Sequence, residues 1–154
     1  MTNGFARHDH AACIDGALAA VEAACAARKL RLTPVRRRVL EMLLQEHRAM
    51  GAYDVLDRLR AEGFGAQPPV AYRALDFLTS NGFAHRVEHL NAFIACARPG
   101  EPHAPAFLIC RRCEGVAETD ADADAAAARA TGFRVERAVV ELGGVCPDCQ
   151  TEGA

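Results

Sequence analysis

The stretch Phe107-Leu-Ile-Cys110-Arg-Arg-Cys113-Glu-Gly-Val116 contains one C-x-x-C pair, and Val145-Cys146-Pro-Asp-Cys149 contains another. Two cysteines separated by two residues can hold one metal ion from a tight turn, and a second pair completes a tetrahedron. Because 32 residues separate the pairs, one ion would close a small subdomain. The pattern predicts a structural four-cysteine zinc site with the ligands Cys110, Cys113, Cys146 and Cys149.

A disulfide or a redox-active pair is the alternative interpretation of these cysteines. The chain has seven cysteines, an odd number that cannot all form disulfides within one chain. The N-terminus has no basic segment followed by an apolar one, so we expect a cytoplasmic protein whose cysteines are mostly thiols or metal ligands. A thiol oxidoreductase places its first cysteine at a helix N-terminus, whereas each pair here is expected to follow a strand or a glycine loop.

The length and composition are typical of a globular protein. A chain of 154 residues suits one large domain or two small ones, and 51% of the residues are hydrophobic and 25% charged. No run of about 18 apolar residues is recognisable, so we expect no membrane partner. We find no Ser/His/Asp set, phosphate-binding loop or paired catalytic carboxylates, so we expect neither an enzyme nor a small-molecule substrate.

The first part of the chain has the pattern of four helices followed by a hairpin. Thr33 can cap the second helix and Pro34 fits its first position, while Asn81-Gly82 ends the fourth. The expected elements are helices at 13–28, from 34, at 53–60 and at 69–80, then strands at 83–87 and 91–96. This order predicts a winged helix-turn-helix whose fourth helix enters the major groove of DNA.

A basic run supports a nucleic-acid partner. The net charge of −2 argues against a uniformly basic protein, but Arg28–Arg38 (RKLRLTPVRRR) carries six positive charges and no negative one. Such a cluster is the electrostatic footprint that phosphate binding requires. A solvated basic face is an equally good interpretation of the run by itself.

The proline-rich segment Arg98-Pro-Gly-Glu-Pro-His-Ala-Pro105 predicts a domain boundary. We expect a DNA-binding domain at 1–97, with 1–12 disordered, a hinge at 98–105, and an α/β dimerisation and zinc domain at 106–154. The expected elements of the last domain are strands at 107–110 and 115–118, a helix at 120–130 and a strand at 133–142. The fold class is therefore α+β. A unit of about 50 residues has a thin core, so metal or dimerisation should be needed.

Taken together, these motifs resemble the ferric uptake regulator superfamily and, within it, its zinc uptake regulator branch. The resemblance covers roughly residues 14–150. The motifs that carry it are Arg31-Leu-Thr-Pro-Val-Arg36, Ala52-Tyr-Asp-Val-Leu56, Pro68-Pro-Val-Ala-Tyr-Arg-Ala-Leu-Asp-Phe-Leu78, Gly82-Phe-Ala-His85 and both C-x-x-C pairs. The resemblance implies a homodimeric repressor that binds an A·T-rich inverted-repeat operator in double-stranded DNA when zinc is plentiful, and so silences zinc-uptake genes.

The resemblance also implies a second, regulatory zinc site, and therefore two Zn2+ ions per chain. Its ligands would be His85, Cys96, His103 and Glu118. A thiolate with two imidazoles and a carboxylate suits tetrahedral zinc, and the thiolate disfavours iron(II) or manganese. Zinc at this site would restrict a swivel of the two domains about the hinge and space two recognition helices for successive major grooves.

The winged-helix prediction assigns roles to particular side chains. Arg73 can fork onto guanine from the recognition helix, and Tyr72 and Tyr53 can contact bases, although both tyrosines could instead pack between helices. Arg31 can enter the minor groove, and Arg36 and Arg37 can hold phosphate.

Three other functions remain open at this point. One is a thiol-based redox or peroxide sensor, a function that the C-x-x-C pairs suggest. The second is a regulator that responds to another metal. The third is a zinc-stapled adaptor with no DNA role, against which the basic run and the Tyr72-Arg73 helix argue.

Overall fold

A computed structural model describes residues 5, 10–46, 48–101 and 103–152, with only the backbone of 122–125. The chain divides into two compact units, Arg7–Glu101 and Pro102–Ala154 with Met1–Ala6. The division lies inside the segment 98–105 that the sequence predicts to be a hinge.

Two helices open the first unit. Helix α1 (His10–Ala27) buries Leu18, Val21 and Cys25, and helix α2 (Pro34–Gln45) buries Val39, Leu40, Met42 and Leu43. The hydroxyl of Thr33 accepts a hydrogen bond from the Arg36 amide at 3.3 Å, which confirms the predicted cap and the Pro34 start.

Helices α3 (Ala52–Ala61) and α4 (Pro68–Ser80) complete a helix-turn-helix on α2. Their apolar stripes interlock because residues three and four apart share one helix face. The buried stripe residues are Val55, Leu56, Leu59, Ala71, Ala74, Leu75 and Leu78. Gly63 and Gly82, both at positive φ, follow α3 and α4 as predicted stops.

Strands β1 (Ala84–Val87) and β2 (Ala92–Ala95) form an antiparallel hairpin in which Ala84 pairs with Ala95. Met50 and Phe93 exchange two backbone hydrogen bonds of 2.9 and 2.8 Å, which attach the chain before α3 to the hairpin. The predicted winged helix-turn-helix is present, with the hairpin as its wing.

The N-terminal predictions need two corrections. Helix α1 begins at His10, so residues 10–12 are helical rather than disordered, as expected of an alanine-rich segment. The other predicted disordered positions, 1–4 and 6–9, lie outside the described residues. Helix α1 is also long and apolar enough, by length and composition alone, to pass as a membrane span. The sequence interpretation overlooked it because alanine supplies most of its hydropathy, and one such helix is weak support for a span.

The second unit is a three-stranded sheet in the order β4-β3-β5. Strands β3 (Pro105–Cys110) and β4 (Val116–Asp120) are antiparallel, with Phe107 opposite Glu118. Helix α5 (Asp122–Ala130) follows, and β5 (Val140–Gly144) then lies parallel to β3. The parallel register sets Cys110 beside Gly144, so the chain leaves the sheet next to the first cysteine pair.

Two features of this unit differ from the sequence interpretation. The predicted strand 133–142 is reduced to β5, and residues 133–139 form no strand because β3 offers backbone partners only for positions 140–144. The short helix α6 (Pro147–Thr151) was not predicted, and Cys146 stands at its N-cap. The α+β class is confirmed.

Candidate metal centres and nucleic-acid interface

The four cysteines of the two C-x-x-C pairs converge at one end of the sheet. Cys110 ends β3, Cys113 follows in the connecting turn, and Cys146 and Cys149 belong to the start of α6. Their four Sγ atoms all lie within 4.8 Å of one another, and Cys113 Sγ and Cys146 Sγ are 3.8 Å apart. The structure therefore brings together the whole predicted set of four cysteine ligands.

The spacing of the sulfur atoms distinguishes the possible chemistries. A disulfide requires about 2.05 Å between sulfurs. A tetrahedron with Zn–S bonds of about 2.3 Å has an edge of about 3.8 Å. Because the Cys113–Cys146 distance matches this edge, the arrangement fits a closed tetrahedral zinc site and not a disulfide. Cys146 does start a helix, contrary to the sequence interpretation, so the position of this pair by itself does not exclude redox chemistry.

Backbone groups support the sulfurs. The Cys146 amide donates to Cys110 Sγ at 3.3 Å, and the Gly115 amide donates to Cys113 Sγ at 3.4 Å. Glu114, at a φ of 60°, turns the chain sharply enough for the Gly115 contact. Arg112 Nη1 donates to the Cys149 carbonyl at 2.7 Å and so ties the first turn to α6. The sequence carries no signal for the role of Arg112, because a surface arginine finds its partner only in the folded chain.

The surroundings of the cluster shift the pKa values of two of its thiols in opposite directions. Backbone amides near Cys113 and Cys146 lower the pKa of Cys110 to about 6. The neighbouring Cys146 sulfur and desolvation raise the pKa of Cys149 to about 12. Four thiolates in such proximity repel one another. A divalent cation would remove this repulsion and allow all four to ionise.

The N-terminal segment also contributes to this centre. Phe5 packs against Cys110, Cys146 and Cys149 together with Val145. The sequence interpretation treated the segment as disordered because it is short and polar. Phe5 also lines a groove of about 280 Å3 beside β5, with Leu108 and Leu142 among its walls.

The other four predicted metal ligands occur as two pairs, one in each unit. In the second unit, His103 Nε2 lies 2.6 Å from Glu118 Oε1, and both side chains are about 95% buried, with 6% and 5% exposed. In the first unit, His85 is on β1 opposite Ile94. Cys96 follows β2, is buried, and its amide donates to the Phe83 carbonyl at 3.0 Å. The side chains of all four residues are of types that bind zinc in proteins.

The predicted base-reading residues lie on the surface of the helix-turn-helix. Tyr53, in the first turn of α3, is 65% exposed, and Tyr72 on α4 is 45% exposed. Arg73, beside Tyr72, is exposed, and within the described part of the chain its guanidinium has no ion-pair partner. Both tyrosine rings are therefore accessible to another molecule.

The predicted phosphate-binding arginines already have protein partners. Arg37 forms ion pairs with Glu22 of α1 and Glu41 of α2. The Arg36 guanidinium lies 3.9 Å from the centroid of the Phe77 ring and donates to the Arg31 carbonyl at 2.7 Å. The sequence interpretation missed these contacts because helical periodicity turns both arginines outward without indicating what surrounds them.

No family model matches the chain, but individual proteins do. The Escherichia coli K12 "Zinc uptake regulation protein" is 42% identical over 137 residues, which cover 86% of this chain and 80% of that protein. A solved "Zinc Uptake Regulator Complexed With Zinc AND DNA" is 39% identical, covers 92% of this chain and 98% of its own, and superposes with a TM-score of 0.83. The holo form of XcZur is 40% identical, with coverages of 87% and 96% and a TM-score of 0.77.

Proposed function

The chain belongs to the zinc uptake regulators, a branch of the ferric uptake regulator superfamily, and from this premise we propose that it is a zinc-responsive transcriptional repressor. In this proposal a homodimer binds an A·T-rich inverted-repeat operator when zinc is bound and controls zinc-uptake genes. The observation that carries the proposal is the similarity, at 39% identity and a TM-score of 0.83, to a regulator solved with zinc and DNA. The relatives are regulators rather than enzymes.

Each chain binds two Zn2+ ions in this proposal. The first is structural and held by Cys110, Cys113, Cys146 and Cys149. Its support is the 3.8 Å separation of two of the sulfurs, together with a small sheet whose core is thin without a metal. When bound, the ion supplies charge neutralisation and a crosslink between β3 and α6, and no open coordination position for catalysis.

The second ion is regulatory and held by His85, Cys96, His103 and Glu118. The support from the second unit is that His103 and Glu118 are buried side chains whose Nε2 and Oε1 atoms meet in a 2.6 Å contact, so that an imidazole and a carboxylate converge at one place. The support from the first unit is that His85 lies on one strand of the hairpin and Cys96 directly follows the other. A buried thiolate among the ligands selects zinc over iron(II) and manganese.

Because the ligands of the regulatory ion come from both units, zinc binding is coupled to DNA binding in this proposal. In the metal-free protein the segment 98–105 acts as a hinge between a DNA-binding domain at 1–97 and a dimerisation domain at 106–154. Zinc favours the arrangement that fits DNA, and DNA must raise the affinity for zinc by the same factor. Moving the population from 1:99 to 99:1 needs about 5.5 kcal/mol of preferential binding, which is within the range of a four-ligand zinc site.

Dimerisation involves the second unit in this proposal. Phe133, Val139 and Leu142 are 65%, 50% and 54% exposed. An interface over these side chains would remove their apolar surface from water. A two-fold dimer would also match the symmetry of an inverted repeat. We place the protein in the cytoplasm, where its DNA is.

The proposed DNA contacts divide into base-reading and backbone-binding residues. Arg73, Tyr72 and Tyr53 read bases from the exposed faces of α4 and α3. Arg31 enters the minor groove. Arg37, with 43% of its side chain exposed, and Arg36 contact phosphate in addition to their protein partners.

The proposal is tested by native mass spectrometry of the full-length protein and by DNA binding in zinc-buffered solution. We expect two zinc ions per chain, one of which a mild chelator removes from an intact dimer. The same chelator should abolish binding to an A·T-rich inverted-repeat duplex, and added zinc should restore it. One ion that never exchanges, with DNA binding indifferent to zinc, would refute the sensing function and leave only the four-cysteine site.

A further inference from the structure

The six cations of the basic run Arg28–Arg38 divide into two groups by their contacts. Arg28 donates to the carbonyl and the side-chain oxygen of Asn81 at 3.0 and 2.9 Å. Arg38 donates to both carboxylate oxygens of Glu62, with one distance of 2.8 Å, and Arg36 and Arg37 are engaged as described above. Within the described residues, Lys29 and Arg31 are the members of the run whose charged groups have no such contact. Four of the six cations of the run are therefore engaged in contacts within the protein.

Arg36 occupies a special position among the engaged arginines because it contacts Arg31. Its Nη1 donates to the Arg31 carbonyl at 2.7 Å, and its backbone amide donates to the capping hydroxyl of Thr33. Arg31 itself lies in the turn between α1 and α2 and is exposed. Residues 28–30 of this connection are held by backbone hydrogen bonds to α1, and the Arg36 side chain adds a hydrogen bond at Arg31.

The same guanidinium also contacts the recognition helix α4. Its guanidinium carbon lies 3.9 Å from the Phe77 ring centroid, a stacking distance at which the ring face attracts a cation. Phe77 is one turn after Arg73 on α4, and residues four apart are neighbours on a helix surface. Phe77 is held in turn by Phe83, whose ring centroid is 6.3 Å away.

We propose that Arg36 is a positioning residue that fixes the Arg31 turn against the recognition helix, so that Arg31 and Arg73 reach DNA as parts of one rigid surface. The inference rests on the proposed DNA binding and assigns Arg36 a role other than simple phosphate contact. Only arginine can perform it, because a planar guanidinium can stack on a ring and donate to a carbonyl at the same time, whereas an ammonium has no flat face.

Three variants of the full-length, zinc-loaded protein test the proposal: Arg36→Lys, Arg31→Ala and the double variant. The probe is the duplex that the wild-type protein enriches from a randomised library. We expect Arg36→Lys to weaken binding about as much as Arg31→Ala, about tenfold for the loss of one groove contact. The double variant should be no weaker than either single one, since both remove the same interaction.

Lysine retains the charge, so a phosphate contact would survive in Arg36→Lys. Wild-type affinity in that variant, or losses that add in the double variant, would overturn the proposal. Phe77→Leu removes the ring but keeps an apolar side chain, and it should show the same non-additivity with Arg31→Ala. This second route decides the question even if Arg36→Lys folds poorly.

Arg38→Lys is the matched control. It belongs to the same basic run and loses its fork onto Glu62, but it does not contact Arg31, so its effect should add to that of Arg31→Ala. A wild-type protein that enriches no duplex in the presence of zinc would refute the proposed function itself. A wild-type protein that binds normally, with Arg36→Lys unchanged, would refute only the role of Arg36.

Discussion

Cys113 Sγ and Cys146 Sγ lie 3.8 Å apart although the two residues are 33 positions apart in the chain. This distance is the edge of a tetrahedron of four sulfurs around zinc, so the two C-x-x-C turns are already arranged around the position of one ion. The contact also joins the end of the β3–β4 connection to the start of α6. The second unit is therefore closed at one end by four sulfurs, against which Phe5 and Val145 pack.

Replacing one of these ligands should disrupt the second unit. We expect Cys113→Ser to lose the structural zinc and most of the cooperative unfolding of that unit, because a structural zinc is worth roughly 10–16 kcal/mol at neutral pH. Zinc per chain by mass spectrometry and thermal unfolding measure the effect. Cys13→Ser, at an exposed cysteine outside the cluster, is the control and should behave as wild type. A stable, zinc-free Cys113→Ser protein would contradict the structural role.

The carboxylate beside His103 should be needed for sensing but not for folding. Glu118→Gln keeps the shape of the side chain and a hydrogen bond to His103 but removes the charge that a zinc ligand supplies. We expect one zinc per chain to be retained and the affinity for the second to fall about 100-fold or more, beyond the loss caused by a supporting hydrogen bond. Zinc-buffered DNA binding should shift to higher free zinc by a similar factor.

The control for this variant is Glu136→Gln, which removes the charge of an exposed acid paired with Arg134. Unchanged zinc dependence in Glu118→Gln would show that this carboxylate is not a ligand. Loss of both ions would instead indicate a folding defect.

Arg73 and Arg37 should affect DNA binding in different ways. Arg73→Ala should relax sequence preference, since a bidentate contact to guanine contributes about 1–3 kcal/mol of discrimination. Arg37→Ala should weaken all duplexes similarly and reduce the slope of log affinity against log salt by about 1. Competition between the selected duplex and its scrambled version, measured at several salt concentrations, separates the two effects. If both variants lost specificity to the same degree, this division of roles would be wrong.

The pair Arg38–Glu62 should make the first unit sensitive to acid. The hydrogen bonds from Arg38 lower the pKa of Glu62 below its ordinary value. A carboxyl whose pKa is lowered on folding stabilises the fold above its unfolded pKa, and this contribution disappears as pH falls through the folded pKa. Glu62→Gln should therefore melt slightly below wild type at pH 7, and the two curves should converge at strongly acidic pH. A gap that persists in acid would assign the effect to packing rather than to charge.

Local sequence was sufficient for much of this protein. The start of α2 at Thr33-Pro34, the helix-turn-helix order, the hairpin and the identity of the four clustered cysteines all follow from short-range rules: capping, periodicity and ligand spacing. Each of these rules acts within a few residues and holds before the chain has folded, whereas only the folded sheet brings the two cysteine pairs together.

Tertiary contacts determined the remaining features. The sequence predicts Arg36 and Arg37 as solvent-facing cations. In the structure Arg36 stacks on Phe77 and Arg37 pairs with Glu22. The partners of such long side chains come near only when the chain folds. Strand β5 is short because β3 limits the backbone partners available to it, and Phe5 reaches the cysteines from the opposite end of the chain. Such contacts depend on residues far apart in sequence, where no periodicity or spacing connects them.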